Sequence, residues 1–183
     1  MKRFLLIILA MGLILFACEG SVTGPMGEGS VFLFLTDSPL NGVTSVKVNI
    51  STIELHRSAK TGAEAGTVIL PPPEGPIDLL SLSGREVLLS SGEVPAGHYT
   101  HIKLEISSGT VTVVDGGESY PLEVPSDKVM IPTPFEVKEG GTISILLDFD
   151  AEKSVKITKT GGDNPRYLLR PVIKLVSIEN NPQ

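Results

Sequence analysis

The feature that most constrains the fold is an apolar pattern that repeats every second residue, from Ser30 almost to the C-terminus. This period places apolar side chains on one face of an extended strand, whereas an amphipathic helix needs them every three or four residues. The alternating segments include 31–35, 46–55, 102–106, 143–149, 155–157 and 167–178. A phase slip near Ser51 and Thr52 predicts a β-bulge, because one extra residue exchanges the two faces of a strand.

Glycine- and proline-rich turn signals separate these segments about every ten residues. They lie at 41–42, 83–84, 95–97, 115–117, 140–141 and 161–162, and a weaker signal lies at 108–109. Short strands with such turns are typical of a sandwich or barrel, and 183 residues are enough to bury a core. We predict an all-β fold, an antiparallel Greek-key β-sandwich of about 7–9 strands, in one domain over residues 30–180.

Several local expectations follow from the same pattern. The strand at 31–35 is apolar on both faces, which predicts a central position in its sheet. Residues 77–82 are expected to form a strand or a single helical turn. The last strand is predicted at 167–178, with Pro171 at an edge or bulge because proline has no N–H to donate.

The N-terminus has the organisation of an export signal. Lys2 and Arg3 precede an uninterrupted apolar run from Phe4 to Phe16. This run is too short to span a hydrocarbon core, which takes roughly 20 helical residues, and it fits the apolar region of a signal peptide. We predict a signal peptide at residues 1–17 and a mature protein that is not an integral membrane protein.

The residues that end this run, Leu15, Phe16, Ala17 and Cys18, resemble the lipobox of bacterial lipoproteins. That resemblance implies lipidation of the Cys18 sulfur, a membrane partner through it, and a cell-envelope location. Glu19 favours the outer membrane if the host has one. Residues 18–29 are rich in glycine and are expected to be a flexible tether. The alternative is an ordinary signal peptide that happens to be followed by a cysteine.

Composition excludes some function classes. The chain has one cysteine, so it has neither a disulfide framework nor a multi-cysteine metal site. Its formal net charge of −6 argues against nucleic acid as a partner. The expected partner of the folded body is a protein or a glycan. The chain has no tryptophan, the best aromatic platform for sugars, so its composition does not support a sugar-binding platform.

Three acidic residues form the candidate metal site. Asp37 ends the first strand, and Asp148 and Asp150 share one face of a later strand. Together they could hold Ca²⁺, which takes six to eight oxygen ligands. In the alternative interpretation Asp37 caps the Ser38-Pro39 turn, Asp148 is solvated, and the acids of 148–150 form cross-strand ion pairs. The bases of those pairs would be Lys103, Arg170 or Lys174.

The sequence offers no recognised catalytic constellation. Its histidines are His56, His98 and His101, and a spacing of three on one strand predicts that His98 and His101 face opposite sides. Neither a Gly-x-Ser-x-Gly nor a His-Glu-x-x-His motif is present. We therefore expect no enzyme activity, no catalytic residue and no cofactor, with Ca²⁺ at the three acids as the alternative. Tyr99 is expected to pack at a strand entry, with its hydroxyl bonded to a turn as in a tyrosine corner.

Five segments follow one another in a characteristic order: Gly29–Pro39, Ile77–Leu82, Val94–Leu104, Asp148–Ser154 and Leu168–Ile173. Taken together, they resemble the DUF4382 family, a domain of unknown function common in secreted lipoproteins. The segment around Pro95 and Tyr99 is also similar to a strand entry of transthyretin-like sandwiches. The family implies no activity, so the predicted function is a lipid-anchored, non-catalytic binding or structural module. The alternatives are a Ca²⁺-stabilised adhesion or carbohydrate-binding module and a hydrolase with an unrecognised site.

Overall fold

A computed structural model describes residues 27–37, 40–59, 65–114, 117–158 and 165–181. The strands in these ranges are β1 (Glu28–Thr36), β2 (Val43–Arg57), β3 (Gly66–Leu70), β4 (Ile77–Asp78), β5 (Val87–Pro95), β6 (Gly97–Val113), β7 (Ser119–Glu123), β8 (Lys128–Val137), β9 (Thr142–Phe149), β10 (Val155–Thr158), β11 (Arg166–Leu169) and β12 (Ile173–Asn181). A 3-10 turn (Leu79–Leu82) and one short helix, α1 (Ala151–Ser154), complete them.

The strands form two mixed sheets in a sandwich-like arrangement, which confirms the all-β class. The described part holds more strands than the predicted 7–9, because β4, β10 and β11 are short pieces of two to four residues. The arrangement is also not purely antiparallel, since β1 with β9 and β7 with β11 run parallel.

The smaller sheet has the order β12-β9-β1-β5. Its strand β1 lies between two neighbours, as predicted from its apolar faces: Val31, Leu33 and Leu35 are buried, and the two phenylalanines between them are half-buried. The parallel pairing with β9 runs from Ser30 opposite Thr142 to Thr36 opposite Asp148. Both strands therefore end at the same edge of the sheet.

The larger sheet has the order β10-β11-β7-β6-β2-β3, with β4 added to β2 and β8 added to β6. The register of β2 against β6 shifts on both sides of Ile50, which confirms the predicted bulge. The turn expected at 108–109 is wrong, because β6 continues through it. A Cβ atom at Gly109 would lie 3.0 Å from the Leu122 side chain and 3.2 Å from the Lys47 carbonyl oxygen. The glycine therefore allows the neighbouring strands to approach β6 closely at this point.

The last predicted strand is in fact two strands in different sheets. β11 pairs with β10 and β7 in the larger sheet, whereas β12 pairs with β9 in the smaller one. Pro171 lies in the connection, where its missing N–H interrupts no ladder. Residues 77–82 contain both expected alternatives, the two-residue strand β4 and the 3-10 turn after it.

The core lies between the sheets and is formed by the inward-facing residues of both. Tyr99 is 1% exposed, and its ring stacks on Phe135 with centroids 4.9 Å apart. Its hydroxyl donates to the Pro95 carbonyl at 2.8 Å, which confirms the predicted bond to the preceding turn. Burial raises the pKa of this hydroxyl.

The predicted signal peptide, the lipobox residues and Cys18 lie outside the described residues. Strand β1 begins at Glu28, two residues before the predicted start of the folded body. In the part of the chain that the structure describes, no helix is both long enough and apolar enough to cross a membrane.

Candidate functional site

The three candidate metal-ligating acids meet at one end of the sandwich. Because β1 and β9 run parallel and in register, Thr36 lies opposite Asp148 where both strands end. Asp37 directly follows β1, and Asp150 is the N-cap residue directly before α1. Asp37 and Asp150 are both buried, with exposures of 5% and 3%.

Two of these acids already bind groups of the protein. The Oδ1 atom of Asp37 accepts a hydrogen bond from the main-chain N–H of Ala151 at 2.9 Å, which ties the end of β1 to α1. The Oδ1 atom of Asp150 accepts from the N–H of Lys153 at 3.0 Å and caps the helix. Its Oδ2 atom pairs with the ammonium groups of Lys153 and, at 3.6 Å, Lys174.

The pKa values of Asp148 and Asp150 are shifted in opposite directions. The hydrogen bond from Lys153 lowers the pKa of Asp150, and the nearby Lys174 acts in the same direction. Desolvation raises the pKa of Asp148, and repulsion by Asp150 raises it further. The Oδ1 atom of Asp148 is buried and accepts no hydrogen bond from the described residues.

The observed partners and exposure of these acids can be compared with the ion pairs, the solvated Asp148 and the metal site that the sequence predicts. The cross-strand partner is Lys174, which pairs with Asp150, whereas Lys103 binds Glu54 on another strand. Asp148 is half-buried and not fully solvated. The Ser38-Pro39 turn lies outside the described residues. Among the residues that are described, no group of three or more His, Cys, Asp or Glu side chains is arranged to hold a metal ion.

A second polar cluster lies on the outer face of the larger sheet. His56 on β2 and His101 on β6 are cross-strand neighbours, and their rings stack with centroids 4.2 Å apart and an interplanar angle of 12°. Glu54 accepts hydrogen bonds from Lys103 at 3.0 and 3.1 Å and lies 2.9 Å from Nε2 of His56. The hydrogen bond from Lys103 lowers the pKa of Glu54.

The prediction that His98 and His101 face opposite sides is wrong. The two steps along β6 from Tyr99 to His101 lie opposite a single step along β2, so β6 has one extra residue here. Tyr99 and Ile102, which are also three apart, are both buried as a result. The extra residue therefore brings both histidines to the outer face. Sequence reasoning missed Glu54, although its spacing of two from His56 places the two side chains on one face of β2.

One cavity brings a histidine next to a carboxylate. It measures about 410 Å³ and is lined in part by Ser58, His98 and Glu136. The Ser58 hydroxyl donates to the main-chain carbonyl of His98, so its one proton is directed away from the imidazole ring. Nε2 of His98 is 3.9 Å from Glu136, beyond hydrogen-bond reach. This arrangement does not form an activated nucleophile.

Comparison with known proteins identifies one family. The model described as "Domain of unknown function (DUF4382)" matches residues 28–171, from the first residue of β1 to the connection before β12. No curated protein matches the chain, and no solved structure matches it. Because the match covers well over half of the chain and eleven of the described strands, the chain belongs to the DUF4382 family.

Proposed function

We propose that this protein is a lipid-anchored cell-envelope protein whose β-sandwich is a non-catalytic binding or structural module. The observation that carries the proposal is the position of the one cysteine. Cys18 directly follows the apolar run and Ala17, where lipidation requires a thiolate nucleophile. A single acyl chain binds a membrane only marginally, so the several chains that the lipobox resemblance implies would give stable anchoring.

The distance from Cys18 to the folded body would hold the sandwich close to the bilayer. Glu28 is ten residues after Cys18, and ten extended residues span at most about 35 Å. The chain enters the sandwich beside two connections: the Gly27 carbonyl accepts from the Ala96 N–H, and the Glu28 carbonyl accepts from the Gly140 N–H. An anchor at Cys18 would therefore place this end of the sandwich toward the membrane.

The same end contains a cavity whose lining would suit a binding role. It measures about 420 Å³ and opens between β8 and the strands β9 and β12. Phe135 and Ile143 provide apolar walls, and Lys138, Thr142 and Asn180 provide polar groups. Binding sites commonly combine an apolar lining with a few polar groups that orient the ligand. The acids around Asp150 lie at the opposite end of β1, about 30 Å away by strand length.

Replacement of Cys18 tests the anchor. We expect wild-type protein expressed in a bacterial host to enter the detergent phase on Triton X-114 partitioning and to carry acyl groups detectable by mass spectrometry. Cys18→Ser should yield a product without acyl groups that retains residues 1–17, because serine offers no thiolate for the lipid transfer. Acylated Cys18→Ser protein in the detergent phase would contradict the proposal.

Phe16→Ala is the matched control for this experiment. It changes the same segment but keeps Cys18, and it places a small residue where the lipobox usually has one. We expect it to be acylated as fully as the wild type and processed at least as fast. Loss of acylation in this variant as well would show that any change in the segment prevents acylation. The effect of Cys18→Ser would then not be evidence that the Cys18 thiol carries the lipid.

A second candidate is a Ca²⁺-stabilised adhesion or carbohydrate-binding module. The observation that favours it is the meeting of Asp37, Asp148 and Asp150 at one end, with a buried Asp148 oxygen that accepts no hydrogen bond from the described residues. Lysine ammonium groups already neutralise Asp150, so we expect the same melting temperature in ~5 mM EDTA, with ~5 mM Ca²⁺ and with ~5 mM Mg²⁺. A rise with Ca²⁺ alone, abolished by Asp148→Asn, would instead support the second candidate.

A further inference from the structure

We propose that strand β12 pairs with β12 of a second copy of this chain, so that the two smaller sheets become one continuous sheet. β12 is an outer strand, and β9 is its one neighbour among the described strands. It has nine residues and contains neither glycine nor proline. An outer strand presents main-chain N–H and C=O groups that can pair with another strand. This pairing involves the folded body alone and does not depend on the lipid anchor.

The other outer strands offer less room for such a pairing. β3 and β10 have five and four residues. β8 carries Pro132 and Pro134, which have no N–H groups to donate. The chain after β3 lies beside β5, where the Ser90 hydroxyl donates to the Pro71 carbonyl at 2.7 Å. β12 is longer than β3 and β10 and has no proline, so it can pair along its whole length.

A β-bulge lies at the middle of β12. The register against β9 shifts between Leu175 and Ser177, which makes Val176 the extra residue. The Val176 side chain is 54% exposed. A bulge exchanges the two faces of a strand for every residue that follows it. Residues an odd number of positions apart therefore share a face when they lie on opposite sides of Val176.

Lys174 and Glu179 share the outer face of the smaller sheet for this reason. Lys174 lies opposite Asp148, and Glu179 lies opposite Ser144. Asp148 and Ser144 are four positions apart on β9, so their side chains and their main-chain groups point the same way. The same then holds for their partners on β12. A cation and an anion, both exposed, therefore lie on one face, on either side of the bulge.

Leu175 and Ile178 share the inner face. They lie opposite Leu147 and Ile145, which are both 0% exposed. Leu175 and Ile178 pack against the same core but are only half-buried. They lie at the edge of the smaller sheet, and the described part of the chain places no strand beyond that edge. A second β12 would cover apolar surface that this edge leaves open to water.

One antiparallel register of two β12 strands satisfies both faces. It places Lys174 opposite Glu179 of the partner subunit. Leu175 is then opposite Ile178 of the partner subunit. A two-fold axis repeats both contacts, and directly opposed pairs of these kinds stabilise antiparallel strands. A shift by one residue would instead set Lys174 opposite Ile178 of the partner subunit and mismatch the faces.

The bulge lies at the centre of this register. Val176 and Ser177 flank the two-fold axis, so the bulges of the two strands face each other. A bulge on an outer strand commonly opposes pairing with a further strand. Two bulges that meet on a two-fold axis leave the alternation of faces matched on both sides of them. A strand without a bulge would match β12 on one side of Val176 only, so a copy of β12 fits better than such a strand.

Disulfide crosslinking tests the register. Chains with Lys174→Cys and chains with Glu179→Cys are co-expressed in a bacterial host, and intact cells are oxidised with copper phenanthroline. The register sets these two cysteines directly opposite each other, within the Cα distance of about 4.4–6.8 Å that a disulfide needs. We expect a product of twice the chain mass on a non-reducing gel, and we expect reduction to abolish it.

Each variant expressed alone is the matched control. A residue at position 174 or 179 and its own copy across the axis lie about 15 Å apart along the strand, which is too far for a disulfide. We therefore expect no covalent dimer from either variant alone. Both variants retain Cys18, so any dimer formed through that residue would appear in the controls to the same extent.

A charge reversal tests the ion pairs without an added cysteine. Glu179→Lys would set two lysines opposite each other at both ion pairs. We expect the dimer dissociation constant of detergent-extracted protein, measured by sedimentation equilibrium, to rise by about tenfold. Glu93→Lys makes the same change in charge on β5, at the far edge of the same sheet, and should leave the constant unchanged. Both glutamates are exposed, so we expect both variants to fold.

Wild-type protein that stays monomeric up to about 100 μM would overturn the pairing of β12. A covalent dimer that is equally strong in the single-variant controls would overturn it too. Equal effects of Glu179→Lys and Glu93→Lys on the dissociation constant would have the same meaning. A chain that is not acylated at Cys18 would contradict the anchor but would not change these expectations.

Discussion

Tyr99→Ala should lower the free energy of unfolding by about 3–5 kcal/mol, as large-to-small substitutions of buried aromatics do. The side chain is 1% exposed and fills the core where β6 begins. Its removal opens a cavity beside Phe135 and abolishes the ring stack with centroids 4.9 Å apart. Urea denaturation followed by far-UV circular dichroism measures the change, with the m-value checked for constancy.

Tyr99→Phe separates the hydroxyl from the ring. Phenylalanine keeps the packing but removes the donor to the Pro95 carbonyl at 2.8 Å. Loss of one buried hydrogen bond costs about 1–2 kcal/mol, well below the cost of the alanine variant. If Tyr99→Ala cost no more than Tyr99→Phe, the ring would contribute nothing through packing, contrary to its position in the core.

Asp150→Asn should lower the free energy of unfolding by about 2 kcal/mol at pH 7, because a buried carboxylate that caps α1 and pairs with two lysines loses its charge. The removal of one partner from a fully buried pair costs more, about 3–5 kcal/mol. Here Lys153 and Lys174 are 60% and 55% exposed, so water can solvate them when the carboxylate is gone. Urea denaturation at pH 7 and pH 3 measures the effect.

Asp148→Asn is the matched control, because it makes the same chemical change two residues earlier in the chain. It is expected to leave the free energy of unfolding unchanged or to raise it. Desolvation and Asp150 raise the pKa of Asp148, so its ionisation at pH 7 opposes folding. We expect Asp148→Asn to be neutral or up to about 1 kcal/mol stabilising at pH 7. Equal losses from both variants would show that the two carboxylates contribute alike, which would contradict the opposite shifts of their pKa values.

The pH dependence of the two variants has a defined sign. The pKa of Asp150 is lowered from its ordinary value of 3.8, so its contribution to stability is full above 3.8 and is lost as the pH falls through the lower folded value. The pKa of Asp148 is raised, so its cost is absent well below 3.8, develops as the pH rises above 3.8, and is complete once the pH exceeds the higher folded value. Both variants should therefore approach the wild type at low pH.

Alternation predicted most of the strands because one face of each sheet is buried against the other sheet. It failed where prolines or exposed apolar residues interrupt the alternation. Strand β8 alternates through Val129, Ile131, Phe135 and Val137, but Pro132 and Pro134 hide it. These prolines are tolerated because β8 pairs with β6 alone among the described strands and can place the positions that lack N–H groups at its edge. Strand β5 was missed as well, since its exposed Val87 and Leu88 break the period.

Local sequence identifies the candidate acids, but it does not encode the strand pairing that brings them together. Asp37 and Asp148 come together only because β1 and β9 are parallel neighbours across more than a hundred residues. The residues that bind these acids are less clearly marked in the sequence. Lys153 could have been found at three residues after the helix-capping Asp150, a spacing that brings side chains together on one face. The extra residue in β6 that turns His98 to the outer face leaves no mark in the alternation of Ile102 and Leu104 after it.

The central place of β1 in the smaller sheet also sets the order in which the molecule can assemble. Its two neighbours, β5 and β9, come from positions about 60 and 110 residues later in the chain, so the contact order is high and folding is expected to be slow. Until β9 has been synthesised, one edge of a strand with five consecutive apolar residues, 31–35, stays open. A nascent or truncated chain that ends before Thr142 is consequently the species most exposed to aggregation.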